Sequence, residues 1–343
     1  MKVYNDLFAQ IISAENLFLA WDEFRLGKQT KTDVMKFEWQ LEENIFGLQR
    51  DLAAGYYEHG SYQAFYITDP KQRLIHKASV CDRVLHHAIF KVLNPIFEPI
   101  FIANSFSCRV GKGTHKGVRV LSGILRKTSQ NNTRLCYALK CDIYKFFASV
   151  DHTILLKILA KRIKNEPTLE LLGEIIKGFS TSGKPGKGLP IGNLTSQLFA
   201  NIYMNEFDQF IKHELKIKHY LRYTDDFIIV SDSAEYLGSL LPKIQEFLSA
   251  QLGLQLHPSK ISIRKFSQGI DFLGYVILPR HIQLRTKTKR RIKRKLSGRT
   301  NHYNAGLISE YSLNQTWQSY LGVLSHANSY KLRQELIKNH LPY

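Results

Sequence analysis

Cysteine is scarce in this chain of 343 residues, and the four it has, Cys81, Cys108, Cys136 and Cys141, show neither CxxC spacing nor a paired pattern. This excludes a disulfide-stapled scaffold and a cysteine zinc site, and leaves small buried hydrophobes in a reducing compartment. Long apolar runs are missing too. No stretch approaches the roughly 18 residues of a membrane span. Asp6 and Glu15 interrupt the N-terminal segment, so no signal peptide is expected either. The expected location is cytoplasmic, of bacterial type. Acids are short as well: 29 stand against 48 Lys and Arg, for a formal charge of +19. That excess points to a polyanionic partner, most simply nucleic acid, over a merely solvated positive face. The loops GKGTH (Gly111–His115) and GKPGKG (Gly183–Gly188) miss the GxxxxGK[ST] pattern, which excludes a P-loop. The first reads as a basic loop touching nucleic-acid phosphates.

What is present concentrates in HYLRYTDDFII, His219–Ile229. Two runs of β-forming residues flank Tyr223-Thr224-Asp225-Asp226, the pattern of a tight hairpin with paired carboxylates at its tip. Adjacent carboxylates repel and stay ionised together only beside a cation, and Mg²⁺ is the hard, oxygen-seeking ion that suits them. A solvated turn is the competing account. A further carboxylate weighs against it. Leu135–Asp142 reads as a buried strand ending in Asp142, after which Asp151 caps a helix through Ile154, Leu155, Ile158 and Leu159. A strand-end Asp with an Asp pair on a later hairpin is the layout of a two-metal phosphoryl-transfer site, whose ions sit about 3.5–4 Å apart.

DIYKFF and YTDD resemble the first and third palm motifs of reverse transcriptases. The likeness continues through Lys71–Phe90 and Asn104–His115 (fingers motifs), Gly188–Asp208 (the motif holding the templating pair), LHPSK (Leu256–Lys260) and IDFLGYVI (Ile270–Ile277). Group II intron enzymes usually carry Gln-Gly…Ser-Pro where this chain has Ile191-Gly192…Ser196-Gln197. That form is similar to the reverse transcriptases of diversity-generating retroelements.

The resemblance implies an α+β right hand: an N-terminal helical extension (1–60), fingers (61–135), an antiparallel-sheet palm (136–280) and a short helical thumb (281–343). It implies two Mg²⁺ ions, replaceable by Mn²⁺, on Asp142 and Asp225 with the Ile143 carbonyl, and Asp226 tuning the site. Arg73, a fork-shaped donor, is the expected triphosphate clamp, with Lys77 and Arg83 weaker candidates. Lys260 could protonate the leaving pyrophosphate. Phe147 would exclude a 2′-hydroxyl and select deoxynucleotides, unless it is a plain core residue. Ile191 and Gln197 would set fidelity, with frequent errors opposite template adenine. Implied partners are template RNA, an RNA or DNA primer, deoxynucleoside triphosphates and a small basic pentameric accessory protein.

From the residues themselves, Val34, Phe37, Leu41, Ile45, Leu48 and Leu52 predict helix ending at Gly55, and Phe199, Tyr203, Phe207 and Phe210 one apolar helix face. Nine Lys or Arg and no acid lie between Arg285 and Arg299. With Leu284, Ile292 and Leu296 as its apolar side, this predicts a basic helix gripping a phosphate backbone through Arg290, Arg291 and Arg294. No endonuclease, RNase H or maturase segment is visible, so a bare polymerase is expected. A group II intron-like or retron-like enzyme, or a catalytically dead RNA-binding scaffold, are the rival readings.

Overall fold

Four helices open the computed structural model, which describes residues 2–69 and 71–340: α1 (Phe8–Ile12), α2 (Ala14–Arg25), α3 (Thr32–Trp39) and α4 (Leu41–Ala54). The apolar repeat from Val34 to Leu52 is helical, but Gln40 (φ −121°, ψ 44°) divides it in two. Gly55 ends α4 in the left-handed region at φ 72°, open to a residue without Cβ. An antiparallel hairpin follows, β1 (Gln63–Ile67) and β2 (Arg73–Lys77). Of its expected turn Asp69-Pro70-Lys71, Pro70 lies outside the described residues. Helices α5 (Val80–Phe97) and α6 (Thr114–Thr128) lead into the main sheet.

That sheet has four antiparallel strands in the order β4-β5-β3-β6: β3 (Tyr137–Asp142), β4 (Tyr220–Tyr223), β5 (Asp226–Ser231) and β6 (Ser262–Lys265). Between β3 and β4 lie α7 (Phe146–Ser149), α8 (His152–Ala160), α9 (Glu166–Lys177) and α10 (Leu194–Gln209), and between β5 and β6 lies α11 (Ala234–Leu252). Asp151 caps α8, accepting from the N–H groups of Thr153 and Ile154. Alternation along the strands supplies two cores. Leu139, Cys141, Tyr220, Phe227 and Ile229 face the helices α1–α5 and α8–α11. Ala138, Leu221, Ile228 and Val230 face α6 and the C-terminal part.

Three expectations are corrected here. The first strand begins at Tyr137, leaving Leu135 exposed. Helix α10 is buried nearly all round: besides its aromatic face, Asn201, Asn205 and Asp208 are buried too, because they meet polar partners inside the fold. Cys136 and Cys141 are buried, whereas Cys108 is exposed.

A small antiparallel sheet, β7 (Ile270–Phe272), β8 (Tyr275–Ile277) and β9 (Ile282–Leu284), runs across position 280, so strand pairing bridges the expected palm–thumb boundary. Leu284 therefore belongs to a strand, not to the basic helix. That helix is α12 (Thr286–Asn304), with Ile292 and Leu296 buried, and it packs with α13 (Glu310–Leu324) and α14 (Tyr330–His340). Among the described residues no helix is long and apolar enough to cross a membrane.

Candidate active site

Strand register brings the carboxylates together. Asp142, the last residue of β3, is paired directly with Asp226, the first of β5, so both side chains leave the same face of the sheet. Asp225 sits in the turn between β4 and β5, and its carbonyl accepts from the Ile143 N–H at 3.2 Å. The chain leaving β3 is thus tied to the hairpin tip. Thr224 is held at φ 56°, an unusual conformation for a β-branched residue. Two hydrogen bonds support it: its hydroxyl to Ser107 Oγ at 2.6 Å, and the Arg222 guanidinium to its carbonyl at 2.9 Å.

Negative charge is in surplus at this point. Burial, then the charge of Asp142, pushes the Asp225 carboxyl up to about 6. Burial also raises Asp226, against the pull of Lys140. Lys260 Nζ lies 2.9 Å from Asp142 Oδ1, and Lys140 Nζ 3.5 Å from Asp226 Oδ2. With each strand carboxylate turned to its lysine, no three His, Cys, Asp or Glu side chains among the described residues are gathered for an ion. The donor set nevertheless fits a hard cation. Asp226 Oδ1 is buried without a hydrogen-bond partner, and the depressed acidity of Asp225 is relieved by a positive charge.

Above this floor opens a cleft of 1010 Å³. Arg73 and Lys71 line it from the β1–β2 hairpin, Lys112 from the GKGTH loop, and Arg290, Arg291 and Arg294 from α12, together with Asp226. The sequence-predicted Arg73 and the three arginines of α12 therefore share one cavity. Lys77 is not brought to it: at the base of β2 it pairs with Asp33 of α3 at 2.7 Å, and Arg83 takes the same carboxylate. Phe147 is half-buried, edge-on to Phe146, with its carbonyl accepting from Leu189 N–H at 2.7 Å. Ile191 docks on β2, its carbonyl accepting from His76 N–H at 2.9 Å. At Gly192 (φ 126°) a Cβ would meet Ile75 Cγ2 at 2.9 Å, so the loop needs glycine to lie this close. Gln197 is half-buried, and its amide bonds to no described residue.

Two features escaped sequence reasoning. Lys140 could have been found, since it stands two residues before Asp142 and shares its strand face. The fully buried pair of Arg222 and Asp208 could not. Arg222 reaches Asp208 through Nη2 at 2.6 Å and Nε at 2.8 Å, and the Tyr220 hydroxyl donates to the same carboxylate at 2.6 Å.

A carboxylate floor under a basic cleft suits enzymes that join nucleotides along a nucleic-acid strand. A match to the reverse transcriptases (RNA-dependent DNA polymerases) spans residues 68–277, and the chain belongs to that family. Its class is RNA-directed DNA polymerase, whose members use divalent metal ions and bind template RNA, primer and deoxynucleoside triphosphates. The chain is 26% identical to YkfC of Escherichia coli, over 67% of this chain and 70% of that protein. It is 24% identical to the group II intron-encoded protein LtrA of Lactococcus lactis, over 87% of this chain and 60% of that one. Among solved structures, an apo telomerase from Candida tropicalis shares a TM-score of 0.48 at 15% identity, over 66% of this chain and 55% of that one.

Proposed function

We propose that this protein makes cDNA from a template RNA by nucleotidyl transfer at Asp142, Asp225 and Asp226, within a right hand of fingers, palm and thumb. The observation that carries this reading is the direct pairing of Asp142 with Asp226 below a cleft lined by eight Lys and Arg side chains. Asp142, Asp225 and the Ile143 carbonyl would hold two divalent ions, Mg²⁺ by preference for oxygen donors, with Mn²⁺ able to replace it. Such ions lower the pKa of a primer 3′-hydroxyl and neutralise a triphosphate. Asp226 sets the charge of the floor. Lys260, beside Asp142, would give a proton to the departing pyrophosphate. Arg73 clamps the triphosphate, Phe147 fills the space a 2′-hydroxyl would need, and the arginines of α12 hold the duplex.

The finer reading is diversification. The unbonded amide of Gln197 and the close-docked Ile191–Gly192 loop support a templating pocket with altered contacts, in which adenine is copied with frequent error. One lost contact is worth about 1–3 kcal/mol, or roughly ten- to two-hundredfold in discrimination. A small basic pentameric accessory protein would join such an enzyme. The second reading, an enzyme of group II intron mobility, is favoured by the likeness to LtrA.

Primer extension on a defined RNA, followed by cDNA sequencing, tests both levels. Asp225→Asn should lower extension by several orders of magnitude while RNA binding survives. Full activity in that variant would remove the hairpin carboxylates from the chemistry. Errors clustered at template adenines are expected; errors spread evenly over the four bases would favour the intron reading and leave the polymerase intact.

A further inference from the structure

A second basic cavity lies beyond the cleft. It measures 810 Å³ and sits between α6, the β8–β9 turn and the α13–α14 connection. Its cations are Arg119 and Arg126 of α6 and Arg280 of the turn, joined by His115, His281 and His326, and no Asp or Glu lines it. The three guanidinium groups make no ion pair or hydrogen bond with any described residue. Five other arginines, Arg25, Arg83, Arg109, Arg222 and Arg285, are held in ion pairs. Asn131 and Asn132 project beside them from a loop whose residues 130–132 all have positive φ.

Position separates this cavity from the catalytic cleft. The small sheet has two ends. Its β7–β8 turn, Leu273-Gly274, lines the cleft, while its β8–β9 turn, Leu278–His281, lines the second cavity. His115 and Tyr275 line both spaces, so the two are neighbours at the edge of that sheet. The ring of His115 lies 3.7 Å from that of His326, closing one wall.

We infer that this cavity binds the phosphodiester backbone of an RNA segment lying outside the primer–template duplex. Unpaired arginines flanked by amides offer forked donors to phosphate oxygens and no acid to repel them. Adjacency to the cleft, with His115 and Tyr275 lining both spaces, favours a polymer long enough to reach both over a free phosphate. The inference does not depend on the catalytic reading, because binding is measured without synthesis.

The experiment titrates the full chain with a long single-stranded RNA across a KCl series, alongside a blunt primer–template duplex short enough to fill only the cleft. The variant is Arg119→Ala/Arg126→Ala/Arg280→Ala; all three side chains are exposed, so the fold should survive. Losing three phosphate contacts to a single strand lowers the slope of log K against log salt by about 2, or roughly 100-fold in affinity over one decade of salt. That loss is expected for the long RNA, with the short duplex bound as in the parent, and the triple Arg→Lys variant should retain most of the slope. Unchanged RNA affinity and slope would overturn the proposal, and so would an equal loss on the short duplex, which would merge the cavity with the cleft. If inorganic phosphate binds the parent and not the Ala variant while the two bind the long RNA equally, the site takes free phosphate and the proposal fails. It fails equally if the variant loses only poly-glutamate binding, which would assign the cavity to an acidic protein.

Discussion

Substituting Asp208→Asn would leave the Arg222 guanidinium buried with a neutral partner of the same shape. Both side chains are fully shielded from solvent, so their charges meet in a low-dielectric interior. Breaking such a pair by neutralising one member costs about 3–5 kcal/mol, because the remaining charge stays desolvated. An exposed pair such as Lys161 with Glu206 contributes only about 0–1 kcal/mol. Urea unfolding should therefore show a large drop in midpoint for Asp208→Asn and almost none for Glu206→Gln. The pair also reaches the chemistry, since Arg222 donates to the Thr224 carbonyl at 2.9 Å beside Asp225. Extension measured well below the unfolding midpoint should fall in Asp208→Asn as well. Replacing both members by apolar residues, Asp208→Leu with Arg222→Met, should recover much of the stability but not the activity, because the Thr224 support stays lost. Equal destabilisation by Asp208→Asn and Glu206→Gln would refute the reasoning.

Phe147→Ala should raise ribonucleotide incorporation relative to deoxynucleotide in single-nucleotide extension; an unchanged ratio would leave Phe147 as a packing residue. Arg290→Ala/Arg291→Ala/Arg294→Ala should flatten the salt dependence of duplex binding by up to roughly 3 in slope, at about 0.9 per phosphate contact, and an unaltered slope would place those arginines off the nucleic acid. The Asp225 carboxyl, pushed up to about 6, holds its proton more tightly in the fold than in the unfolded chain. Its contribution to stability is therefore complete below about pH 4 and is lost as the pH rises through 6. Cation uptake runs the other way, since it needs the carboxylate. Mg²⁺ affinity by calorimetry should weaken as the pH falls below 6, and a profile identical in Asp225→Asn would detach that step from this residue.

Local physics made much of this protein legible from its sequence. The buried strand ending in Asp142 and the β-forming runs that flank YTDD depend on neighbours a few residues away, as do the Asp151 cap and the left-handed Gly55 stop. The charge excess in α12 is likewise visible in one segment. Register was only half legible: two strands ending in Asp could be foreseen, but their direct pairing is set by how β3 and β5 align in the sheet. Partners distant in sequence were decided by the tertiary structure alone. Lys77 looked like a phosphate ligand until packing of α3 against α5 put Asp33 beside it. Arg222 read as one more strand residue, and only burial against α10 turned it into half of an ion pair. The acid-free cavity around Arg119, Arg126 and Arg280 exists because a helix and a strand turn, far apart along the chain, converge, and side-chain electrostatics depends on distance in space, not in sequence.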